Sequence, residues 1–104
     1  MSLRIGPSRN ELKPPPGAAA DADASEVLRV WIIKDGLHVS LTKAFDDPAV
    51  WGVMLVDLAR HAARVYEREG DCDAAEALER IKQCWSAEMS RPTDLGTTAV
   101  RTDA

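Results

Sequence analysis

The stretch from residue 27 to residue 48, VLRVWIIKDGLHVSLTKAFDDP, restricts the fold of this chain more than any other. Two apolar, β-branched runs flank Asp35-Gly36, the dipeptide that supplies the positive φ angles of a two-residue hairpin turn. With Asp35 and Gly36 as the turn residues, Lys34 is expected opposite Leu37. One face then collects Leu28, Val30 and Ile32 against Val39 and Leu41, and the other collects Arg29, Trp31 and Ile33 against Thr42, Ser40 and His38. A slip of one residue would exchange the faces, so the wholly apolar first face is the expected core side. The second face is mixed, yet Trp31 and Ile33 make it too apolar for open water. Arg29, Trp31, Ile33 and His38 are therefore the candidate interaction surface.

Two helices should follow. Asp47 suits an N-cap, Pro48 the first helical position and Gly70 the residue past the end, so the first helix is expected over residues 48–69. Trp51, Met54, Leu55, Leu58, Ala62, Val65 and Tyr66 recur at three- and four-residue spacing and make a broad apolar face. Gly52, Val56, Ala59 and Ala63 add a stripe of mostly small residues beside it, where another backbone can come close. A helix this apolar needs neighbours on two sides. The second helix is expected over residues 73–90, capped by Asp71 or Asp73, with Ala74, Ala77, Leu78, Ile81, Cys84, Trp85 and Met89 on its apolar side. The short link EGDC makes the pair an antiparallel hairpin.

A chain of 104 residues has room for one domain. The expected division is a Pro/Ala-rich tail over residues 1–25, a ββαα domain over 26–91, and a second flexible tail over 92–104. Net charge is −4 and no segment carries a basic excess, which argues against a nucleic-acid partner. The opening MSLRIGPSRNELKPPPG lacks an apolar signal core, and no window is long and apolar enough for a membrane span, so a cytoplasmic protein without a membrane partner is expected. Cys72 and Cys84 on one helix would lie about 18 Å apart at ~1.5 Å per residue, too far to bridge. Both are expected as reduced thiols, Cys84 half-buried; the alternative is an intermolecular or redox role for Cys72, near a helix N-terminus where a thiolate would be favoured.

The groups that carry chemistry elsewhere give no catalytic, cofactor-binding or metal-binding set here. Arg60, His61, Arg64 and Arg68 form a basic ridge that would suit an anion. However, Asp57 sits three and four residues before Arg60 and His61, and Glu67 three after Arg64, the spacing of a salt-bridged solvent face. Asp71, Asp73 and Glu76 lack the glycine and the final glutamate of a calcium loop, and capping accounts for them better. No P-loop, GxGxxG or HExxH pattern occurs.

The segment VYEREGDCDAAEALERI is similar to the middle of a tetratricopeptide repeat, but it occurs once, as a helical-hairpin turn would. The longer run EVLRVWIIKDGLHVSLTKAFDDPAVWGVMLVDLARHAARVYEREG, with its Pro-rich lead and the later PTDLGTT, resembles a small bacterial family of unknown function whose members are about this long. The resemblance implies a bacterial, soluble protein and brings no catalytic or binding residues with it. The expectation is an α+β protein of ββαα order, a non-enzymatic interaction or scaffold domain. It is expected to form a homodimer through its hairpin, with a further protein partner possible. The alternative is a small-ligand or anion binder using the Trp31 face or the Arg60/His61/Arg64 ridge.

Overall fold

The computed structural model describes residues 10–34, 36–93 and 97–100, without the side chain of Thr97. Its elements are α1 (Pro16–Ala20), β1 (Leu28–Ile33), β2 (Gly36–Leu41), α2 (Val50–Arg68), α3 (Ala74–Ser90) and β3 (Thr97–Val100). The strand, strand, helix, helix order forms as expected, and the fold is α+β. Asp35, residues 1–9, 94–96 and 101–104 lie outside the described residues, and with them the turn type and the outer parts of both expected tails.

β1 and β2 pair antiparallel, but not in the expected register. Ile33 pairs with Gly36, Ile32 with Leu37, Trp31 with His38 and Val30 with Val39. β1 therefore ends at Ile33, and Gly36 opens β2 with φ 131°. The shift moves Leu37 from opposite Lys34 to opposite Ile32, so apolar pairs with apolar, and it puts the positive backbone angle on Gly36, which tolerates it. Because the shift is two residues, each side chain keeps its face.

Two further differences lie in the expected tails. Thr97–Val100 pairs parallel with β2, giving a three-stranded sheet of order β1-β2-β3. Its threonines and valine favour extended backbone, and the whole helical hairpin serves as the crossover that parallel pairing requires. On the other side of the chain, Pro16 starts the five-residue α1 at a position that suits proline.

The helices end as their sequences direct. Gly70 has φ 84°, its N–H donates to the carbonyl of Glu67 at 3.1 Å, and the Asp71 N–H donates to that of Tyr66 at 3.0 Å. This is the paired closure of a Schellman C-terminus. Asp73 caps α3 by accepting from the Glu76 N–H at 2.7 Å, and the Glu67 carboxylate accepts from the Ala74 N–H at 3.0 Å. α2 begins later than expected, at Val50 rather than Pro48. Asp47 caps a turn one step upstream, where its carboxylate accepts from the Ala49 N–H at 3.0 Å and its carbonyl from the Val50 N–H at 3.1 Å.

Burial is sparse. Ala63 and Ala77, 2% and 6% exposed, are the only buried apolar residues among those described, and they mark where α2 and α3 meet. Of the small-residue stripe of α2, Ala59 and Ala63 thus lie on the side toward α3, while Gly52 and Val56 stay exposed. No Cα of a strand comes within 8 Å of a Cα of α2 or α3 among the described residues. The sheet and the helical hairpin thus make no close backbone approach. The radius of gyration is 16.1 Å, against about 13 Å for a compact chain of this length.

Candidate interaction surface

The expected core face of the hairpin is covered only in part, with Leu28, Val39 and Leu41 half-buried. Val30, Ile32 and Leu37 on that face are all exposed, Ile32 to 85%. The reason is the separation of sheet from helices: residues 42–49 connect β2 to α2 without folding the helix back over the strands. Within that connection Phe45 meets Trp51 edge to face, ring centroids 5.7 Å apart, which fixes the connection to the start of α2.

On the opposite face, Trp31 and His38 are direct cross-strand partners, and Arg29 and Ile33 flank Trp31 on β1. The structure therefore brings all four candidate residues onto one surface. Arg29 grips Glu26 with two hydrogen bonds, Nη2 to Oε1 at 2.9 Å and Nε to Oε2 at 3.3 Å, and also pairs with Glu11. That second pair ties the N-terminal segment to β1. Trp31 and His38 are half-buried, while Ile33 is exposed. An open recess of about 550 Å³ runs between residues 10–12 and β1, with Glu11, Arg29 and Trp31 in its wall.

The helical hairpin is equally uncovered on its outer sides. Leu55, Leu58 and Val65 on α2, and Trp85 and Met89 on α3, are exposed, Met89 to 72%. The basic ridge is also exposed, but the ion pairs expected for it do not form. Arg64 Nη1 lies 3.3 Å from His61 Nδ1, and Glu67 turns to the α3 backbone instead of Arg64. Among the described residues, no ion pair links Asp57 to Arg60 or His61.

Cys72 and Cys84 are both free. Cys84 is exposed rather than half-buried, and Cys72 precedes α3 instead of lying within it. Both line a second shallow recess with Tyr66, Ala77, Arg80 and Ile81. Partial burial, then the carboxylates of Glu76, Asp71 and Asp73, raise the Cys72 thiol above its ordinary value against the opposing pull of Arg80. This direction is opposite to a preference for the thiolate, and partial burial is its largest cause. No group of three His, Cys, Asp or Glu side chains that would hold a metal ion occurs among the described residues. None of the described helices is long and apolar enough to cross a membrane.

No curated protein matches the chain. A solved structure from the photosynthetic bacterium Rhodopseudomonas palustrus CGA009, which carries the provisional description pyruvate dehydrogenase, is similar at 46% identity with a TM-score of 0.68. The match covers 98% of this chain and 100% of that one. Residues 11–93 match the family described as Domain of unknown function (DUF5076), a span that takes in the hairpin and both long helices. This chain belongs to that family.

Proposed function

We propose that this chain is a small, non-enzymatic protein-interaction or scaffold domain that self-associates through its hairpin, in the cytoplasm of a bacterium. The observation that carries this reading is the uncovered apolar face of the sheet, Val30, Ile32 and Leu37, beside equally uncovered helices. Contiguous apolar surface of this kind marks a contact with another macromolecule. Arg29, Trp31, Ile33 and His38 form the second contact surface, where Ile33 is the exposed apolar residue. Two free thiols suit a reducing compartment. The relative's description as a pyruvate dehydrogenase is not carried over, because both recesses are open and the charged groups of the first, Glu11, Glu26 and Arg29, are engaged with one another.

Size-exclusion chromatography with light scattering tests the reading. The wild type should elute with the mass of a dimer and Ile32→Glu with the mass of a monomer. A wild type of monomer mass at every loading concentration contradicts it. A second reading, a small-ligand site beside Trp31, is favoured by the recess along β1. It predicts that a small organic acid or amine quenches the fluorescence of the wild type but not of Trp31→Phe.

A further inference from the structure

We infer that the sheet face of one chain is covered by the broad apolar face of α2 in a second copy, reciprocally, in a closed two-fold dimer. The inference rests on the self-association reading and names the partner surface within it. It begins with how α2 is used. α3 occupies the small-residue side of α2, where Ala63 is buried. Leu55, Leu58 and Val65 lie about 80° to 160° round the helix from Ala63, at about 100° per residue. α3 therefore leaves that side bare, and all three residues are exposed.

Each chain thus presents one bare sheet face and one bare helix face. A helix layered on a sheet is the standard way to bury both. Within the chain no Cα of a described strand comes within 8 Å of a Cα of α2. Neither face carries a charge: the sheet offers Val30, Ile32 and Leu37, and the helix offers Leu55, Leu58 and Val65. No charged group has to leave water when they meet, so the usual penalty of a mixed interface is absent.

The area agrees with a second copy of this chain. The accessible surface is 9134 Å², whereas a compact monomer of this mass exposes about 5,700 Å². The excess of about 3,400 Å², summed over the whole chain, is enough to supply the roughly 1,000–2,500 Å² per chain that obligate homodimers bury. A partner with only a sheet or only a helix would cover half of what is bare. A second copy covers both, and two-fold exchange closes the pair of faces on itself.

Isotope-filtered nuclear Overhauser spectroscopy on an equal mixture of ¹³C-methyl-labelled and unlabelled wild-type protein reads the contact directly. The expected result is intermolecular cross-peaks from the methyls of Val30, Ile32 and Leu37 to those of Leu55, Leu58 and Val65. Intermolecular cross-peaks joining sheet methyls to sheet methyls would overturn this inference and leave self-association standing. Sheet-to-α2 cross-peaks that are present in uniformly labelled protein and absent from the mixture, in a sample of monomer mass, would overturn both.

Discussion

Single residues decide where each helix of this chain stops and starts. Gly70 is at φ 84°, and a Cβ there would meet nothing within 4 Å. Gly70→Ala should therefore cost only the left-handed backbone penalty of about 1 kcal/mol, read as a lower urea midpoint. A neutral effect would mean that the C-terminus of α2 ends otherwise. Gly70 and Asp73 were legible in the sequence because caps are local: a glycine and an aspartate at fixed offsets satisfy backbone groups that no distant residue needs to reach. Cys72 was not. Its thiol is set by partial burial and by the carboxylates of Glu76, Asp71 and Asp73, which come together only in three dimensions. A raised thiol holds its proton, so the fold gains from the neutral form at neutral pH and loses that gain as pH climbs through the folded value. At pH 8, partial alkylation followed by mass spectrometry should modify exposed Cys84 before Cys72. Faster reaction at Cys72 would contradict its placement.

Elements were legible wherever their signal is periodic and long. The 3.6-residue pattern located α2 and α3, and the two faces of the hairpin follow from alternation alone. Strand register was not legible, because Asp35-Gly36 satisfies the chemistry of a two-residue turn while the structure uses Gly36 as the first strand residue. β3 was missed because four residues give no periodic signal, and its partner β2 lies beyond two helices in sequence. The N-terminal segment joins β1 through the ion pair between Glu11 and Arg29. Such a pair at a partly exposed site contributes about 0–1 kcal/mol. Arg29→Gln should leave global stability nearly unchanged while hydrogen exchange over residues 10–15 speeds up. Unaltered exchange there would show that other contacts hold the segment. At the other helical end, Asp73→Ala removes the α3 cap bond to Glu76 and should cost about 1 kcal/mol in thermal unfolding.

At the scale of the whole molecule, what the sequence could not convey is which apolar faces meet. It shows that α2 is too apolar for one neighbour and that the sheet has a greasy face. It does not show that α3 takes the small-residue side or that the strands stand away from both helices. Pairing of faces is a property of tertiary arrangement, and here part of that arrangement is assigned to a second chain. Among the described residues the buried apolar ones are alanines, which bury little apolar area. Under the proposed self-association, stability is drawn in part from the partner and depends on concentration. Chemical denaturation followed by tryptophan fluorescence, repeated over a hundredfold range of chain concentration, tests this most directly. The account predicts a midpoint that rises with concentration, equivalent to about 2.7 kcal/mol across the range. A midpoint that stays fixed over that range would contradict it.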